Sequence, residues 1–253
     1  MATLIELVRY LDDYLRIGEI PDSANAVNGL EVENASGKVD RVVAAVDACQ
    51  ASIDHAASLG TDTLLLVHHG LFWDGNLPVT GRRYRRLTAL LERGVALYAA
   101  HIPLDVHPEC GNNVVLARGL GIPVESWWGE HRGVAIGVAG SLAENREALR
   151  ARVEGLLGAP ARLIPGGPER SSRVGVITGA GGSAIGEARA ADIATFITGE
   201  GAHHTFFDAT ELGVNLIYAG HYATETVGVR ALAEHLSARF GLPWEFHRYD
   251  TGM

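Results

Sequence analysis

Thr63–Gly70 reads TLLLVHHG. The four branched apolar residues Leu64–Val67, with no polar alternation, predict a strand covered on both faces. The run stops at two adjacent histidines, His68 and His69. Neighbouring strand side chains point to opposite faces, so such a pair converges only where the strand ends and turns. Gly70 permits that turn. Alone, the stretch fits an ordinary pair of surface histidines as well as it fits a site. The rest of the chain has to supply partners.

On either side, the pattern alternates strands with helices. Leu4, Ile5, Leu7, Val8, Leu11 and Leu15 give a helix over residues 3–17, followed by a loop from Pro21 to Gly29. Arg41–Asp47 predicts a strand ending in an acid, then a helix to about Leu59. Arg82–Arg93 predicts a helix, and Val95–Ala100 a third strand running into His101. Near Glu125 the pattern begins again, with strands over 132–140, 173–178, 193–198 and 215–219. Helices are expected over 144–157, 184–191, 203–212 and about 224–240, with a last strand in the tail 243–249. This is α/β architecture with mixed, largely parallel sheets. The first lobe is expected over about 1–125, possibly joined by 241–253, and the second over about 126–240.

With 253 residues the chain can bury a real core. Hydrophobic residues make up 47% and charged residues 20%, a globular balance. The net charge of −9 argues against broad phosphate-backbone binding, so nucleic acid is not the expected partner. The two cysteines, Cys49 and Cys110, are too few for a disulfide framework or a cysteine metal site. The acid-bearing helical start does not read as a signal peptide, and no apolar run approaches the ~20 residues needed to span a bilayer. A cytoplasmic, membrane-free protein is expected.

Polar residues gather at the C-terminal ends of the expected strands: Asp47, His68–His69, His101, Gly199–Glu200 and His221. In open α/β sheets, sites form at that edge. Asp105 stands four residues beyond His101, and Glu225 four beyond His221. If a helix already runs from His221, that spacing puts both side chains on one face. If it begins at Thr224, the pair sits on the turn entering it. Imidazoles and carboxylates suit zinc, iron or manganese. His68, His69, Asp105, His221 and Glu225 are too many for one four-coordinate ion with an open position. They fit two, if a carboxylate bridges, in the arrangement of two-metal hydrolysis with ions ~3.5–4 Å apart.

LLVHHGLFW, the His101–Asp105 run HIPLD with GNN after it, Thr198–Glu200 and AGHYATE together resemble the Nif-three-like dinuclear-metal family, whose members are often called GTP cyclohydrolase I type 2 homologues. The match spans nearly the whole chain in order and is of the short form. The resemblance implies two divalent ions held by His68, His69, Asp105, His221 and Glu225, in a cleft between two α/β lobes. Glu225 is the best candidate for the bridging carboxylate. His101 matches a family histidine near the metals, expected to be an outer partner or a proton-transfer group and not a ligand. The resemblance also implies a ring-shaped homohexamer. The expected function is metal-dependent hydrolysis of a nucleotide-like or phosphate-containing small molecule. The alternative is a metal-trafficking protein or oligomeric scaffold without turnover.

Weaker signals read more plainly. GAGGSAIG at 179–186 lacks the third glycine of a dinucleotide loop and reads as a tight turn into a helix. His203–His204, His55 and His235 read as surface residues, and the arginines at 82, 83, 85 and 86 as a solvated helix face. Trp127–Trp128 reads as packing where the two halves meet.

Overall fold

Arg41–Asp47 and Thr63–His69 pair in parallel, from Arg41 opposite Thr63 to Asp47 opposite His69. The computed structural model describes residues 2–253 and divides them into two units. The first is the chain up to Leu104 with Val229–Tyr249, and the second is Asp105–Gly228 with Asp250–Met253.

The first unit carries a five-stranded sheet in the order Trp244–Phe246, Arg41–Asp47, Thr63–His69, Ala96–Ala99, Gly29–Val32. All its pairings are parallel except the last, which is antiparallel. Parallel strands need a crossover, and the helices Gln50–Ser58 and Gly81–Arg93 provide two of them. Their buried residues Ile53, Ala56 and Leu90 pack on Val43, Ala45, Leu65, Val67, Leu97 and Ala99, one face of the sheet at strand alternation. On the opposite face, the Tyr98 hydroxyl donates to Asp12 at 2.8 Å. Asp12 lies on the helix Leu4–Leu15, which buries Leu4, Leu7, Leu11 and Leu15 at helical spacing. Each such side chain contributes about 1.5–3 kcal/mol on full burial. Thr3 and Glu6 close a capping box at the start of that helix.

The second unit has six strands in the order Ser126–His131, Val134–Asn145, Arg170–Ile177, Thr195–Thr198, Asn215–Tyr218, Arg162–Pro165. Only Thr195–Thr198 pairs in parallel, with both of its neighbours. The expectation of largely parallel sheets holds for the first unit and fails here. One cause is a hairpin that the pattern concealed. Arg132 and Gly133 both have positive φ (51° and 83°) and turn the chain back on itself. Residue 132, expected to begin a strand, is therefore part of the turn. The short antiparallel edge strand Arg162–Pro165 was also unexpected, and its proline suits an edge.

Trp128 is buried within the second unit, donates its indole N–H to the Val138 carbonyl at 2.9 Å and meets the Phe196 ring edge-on. Gly181–Ala184 forms the expected tight turn into the helix Ile185–Ala190. Among the described residues, no helix is long and apolar enough to cross a membrane.

Candidate metal centre

In the first unit, the parallel strands end together. His68 and His69 close Thr63–His69, and His101 lies two residues beyond Ala96–Ala99. One ring nitrogen from each of His68, His69 and His101 lies within 4.8 Å of the others, a group that could hold a metal ion. The Nδ1 of each ring is held by oxygen. His68 Nδ1 donates to the Ala100 carbonyl at 2.9 Å, His69 Nδ1 to Asp47 Oδ1 at 2.9 Å and His101 Nδ1 to Asp22 Oδ1 at 2.8 Å. A carbonyl or ionised carboxylate only accepts, so each Nδ1 carries a proton, and a ring in its neutral form has its lone pair on Nε2. Outer partners of this kind fix tautomer and orientation for metal-binding histidines.

Asp22 does more than hold His101. Its carboxylate also accepts the N–H groups of Ser23 at 2.6 Å and Ile102 at 3.0 Å, and the Asn28 amide at 2.9 Å. Burial alone would raise its pKa, but the hydrogen bond and charge of His101, with Asn28 and Ser23, hold it down to about 2. Trp73 completes this wall, with its ring edge-on to His101 at 4.5 Å between centroids and to His69 at 5.8 Å.

In the second unit, the helix His221–Phe240 begins at His221 itself. That settles the open spacing question: His221 and Glu225 share one helix face, with Nε2 to Oε2 at 3.2 Å. His221 Nδ1 donates to Glu200 Oε1 at 2.7 Å. The ring therefore stands between two carboxylates. With Nδ1–H committed to Glu200, Nε2 would face Glu225 lone pair to lone pair unless a positive species stands between them. In the metal-free chain that species is a second proton. The Glu225 hydrogen bond, opposed by burial and reinforced by the charges of Glu225 and Glu200, pushes the His221 pKa up to about 9.

Gly179 leaves the space this pair needs. Its φ is +65°, and a Cβ there would lie 2.1 Å from Glu225 Oε1 and 3.3 Å from His221 Nε2. Its N–H donates to Thr224 Oγ1 at 3.0 Å, tying the turn to the helix start.

Asp105 is buried, and its Oδ1 accepts from Asn112 Nδ2 at 2.9 Å. Asn112 Oδ1 in turn accepts the Gly228 N–H at 2.8 Å. Asn113 bonds to the Asp105 and Ile136 carbonyls and accepts the Thr178 N–H at 2.7 Å. The GNN motif is thus a pair of buried struts that fix Asp105 and the strand leading to Gly179.

Of the expected site residues, the structure brings His68, His69 and His101 together in the first unit and His221 with Glu225 in the second. Asp22, Asp47, Glu200 and Trp73 are the neighbours that sequence reasoning did not single out as parts of the site. Asp47 and Glu200 carried a signal, as acids at or just beyond strand ends; Asp22 carried none. Other histidines have different surroundings. His203 and His204 are exposed at a helix start. His55 and His235 are not plain surface residues: His55 bonds to Glu245 and stacks on His247, and His235 bonds to Tyr10 and stacks on Tyr14. Arg83 likewise leaves the solvated face. It donates to the carbonyls of Leu77 and Gly75 at 2.8 and 2.9 Å and lies over the Phe72 ring.

These features define a mixed α/β protein with histidine and glutamate groups that could hold a metal ion. Residues 2–251 match the Duf34/NIF3 (NGG1p interacting factor 3) family profile, and the chain belongs to that family. A Deinococcus radiodurans protein called GTP cyclohydrolase 1 type 2 homolog is 45% identical over 250 residues, covering 98% of this chain and 94% of its own. Two solved structures are also similar, each covering the whole of both chains. The protein ybgI, described as of unknown function, has TM-score 0.91 at 36% identity. TTHA1606 from Thermus thermophilus has TM-score 0.86 at 42% identity.

Proposed function

We propose that this chain binds a pair of divalent metal ions through His68, His69, Asp105, His221 and Glu225, and uses them to hydrolyse a nucleotide-like or phosphate-containing small molecule. The observation that carries this reading is the double anchoring of His221. An imidazole whose Nδ1–H is given to Glu200, and whose Nε2 stands 3.2 Å from a Glu225 oxygen, is a place built for positive charge. The missing side chain at Gly179 keeps room beside it. The first unit offers the complementary feature, imidazoles with Nδ1 tied to oxygen and one ring nitrogen of each of His68, His69 and His101 grouped within 4.8 Å.

Divalent ions, when bound, supply Lewis acidity and make water acidic enough to ionise near neutral pH. The chain's own residues do the rest. Asp47 and Glu200 hold the His69 and His221 rings, and Asn112 holds the Asp105 carboxylate. His101, oriented by Asp22, is the proton-transfer group at Nε2. Zinc, iron and manganese all suit this donor set. The family relatives called GTP cyclohydrolase 1 type 2 homolog suggest a guanine nucleotide among the candidate substrates. A homohexamer in the cytoplasm is part of the same reading.

The test is turnover by purified protein on GTP, phosphodiesters and phosphomonoesters with manganese, zinc or iron restored. The proposal expects hydrolysis of at least one class and its loss in Asp105→Ala. Metal binding without turnover on any of them would favour a metal-trafficking role. Unchanged turnover in Asp105→Ala would remove the assignment of the site.

A further inference from the structure

Glu31 is the residue in the first unit whose placement is hardest to explain as ordinary packing. It sits in the edge strand Gly29–Val32, where the antiparallel register against Ala96–Ala99 slips. Leu30 pairs with Tyr98 and Val32 with Leu97, so Glu31 is the extra residue of a β-bulge. A bulge re-aims the side chain it carries, and here the carboxyl is aimed at the turn that follows His68 and His69. Glu31 Oε2 accepts the Leu71 N–H at 2.7 Å.

The fit against Gly70 is close. A Cβ on Gly70 would lie 2.0 Å from Glu31 Oε1 and 2.7 Å from Oε2, so the carboxyl occupies the space a side chain would take. Oε1 is buried and makes no hydrogen bond. Burial accordingly raises the Glu31 pKa to about 7, against the pull of the nearby Leu71 and Phe72 amides. A chain selected for stability alone would not place a half-satisfied carboxyl there, since an unpaired buried acceptor is a net cost. What the arrangement secures is the path of three residues, Gly70–Phe72. His69 precedes them and Trp73 follows, and both rings meet His101.

We propose that Glu31 is a positioning residue for the histidine wall: through the Gly70–Phe72 turn it sets the orientation of His69 and Trp73. The inference rests on the metal-binding reading for its consequence, though not for its geometry. It gives Gly70 a second role, as the residue whose missing side chain lets the clamp close.

The experiment compares wild type, Glu31→Ala and Glu31→Gln. Glutamine keeps an oxygen acceptor for the Leu71 N–H in nearly the same volume, and alanine removes it. Zinc affinity is measured by competition with a chromophoric chelator, well below each variant's unfolding midpoint. Trp73 emission in the metal-free protein is read by difference against the same variants carrying Trp73→Phe. The expected result for Glu31→Ala is a fall in zinc affinity of about 10–100-fold, the usual effect of losing an outer partner. A shift in Trp73 emission accompanies it, and Glu31→Gln restores both to near wild type.

A folded Glu31→Ala protein with wild-type zinc affinity and unshifted Trp73 emission overturns the proposal, as does a Glu31→Gln protein as impaired as Glu31→Ala. If the wild type itself binds no zinc, the metal-binding reading fails. The Trp73 signal alone then decides whether Glu31 sets the turn.

Discussion

Asp22 and His101, 79 residues apart in the chain, are joined by a 2.8 Å hydrogen bond from the imidazole Nδ1 to the carboxylate. The Asp22 side chain is only 6% exposed and accepts three further bonds. Asp22→Ala would leave the donors of His101, Ile102 and Asn28 without their acceptor. We expect a loss of about 3 kcal/mol, measured by urea unfolding. The pH dependence follows from a carboxyl held at about 2 against an ordinary 3.8. Its folded pKa is depressed, so its contribution is present above about 3.8 and is lost as pH falls toward 2. Asp22→Asn should flatten the acid limb of the stability profile. An unaltered limb would show that other carboxyls govern it.

Asp47 lies behind His69 and outside the expected ligand set. Asp47→Ala removes the acceptor that fixes the His69 tautomer, and zinc affinity should fall by about 10–100-fold with the fold retained. Circular dichroism and chelator competition on the same sample check both halves. Unchanged affinity would mean that the tautomer is not set there.

Gly179→Ala tests the space beside Glu225. The left-handed backbone costs about 1–2 kcal/mol for a non-glycine residue, and the new Cβ must displace the Glu225 carboxylate. Stability should fall by about 1–3 kcal/mol, and metal affinity by more than that strain alone explains. A variant with reduced stability and intact metal affinity would uncouple Gly179 from the site.

His221 gives the alkaline counterpart. Its folded pKa of about 9 lies above the ordinary 6.5, chiefly through Glu225. A raised histidine pKa stabilises fully below about 6.5, and the contribution is lost as pH climbs through about 9. The unfolding midpoint of metal-free protein should therefore decline between those values, and Glu225→Gln should flatten the decline. Saturating zinc should also flatten it, because the ion replaces the proton. A midpoint constant across that range in metal-free protein would contradict the geometry of the His221–Glu225 pair.

Much of this was legible in the sequence because the relevant signals are local. The unbroken apolar run of Leu64–Val67 announced a buried parallel strand, and it is one. His221 and Glu225 announced their shared face by spacing, although the helix start had to be seen to settle it. The hairpin at Arg132–Gly133 was hidden because the turn uses an arginine with positive φ in place of the usual asparagine or aspartate. The roles of Asp22 and Glu31 were illegible for another reason. Each acts through backbone amides or rings that lie 40 to 80 residues away in the chain, and no periodicity records such a contact. Arg83 was misread because four clustered arginines look like a solvated face, whereas one of them braces the loop before its helix.

The most direct test of the account is metal content by elemental analysis after reconstitution with zinc, iron or manganese and removal of excess. About two ions per chain are predicted for the wild type, falling sharply in His68→Ala and in Glu225→Ala while both variants remain folded. A wild-type protein that retains no metal, or variants that retain as much as the wild type, would contradict it.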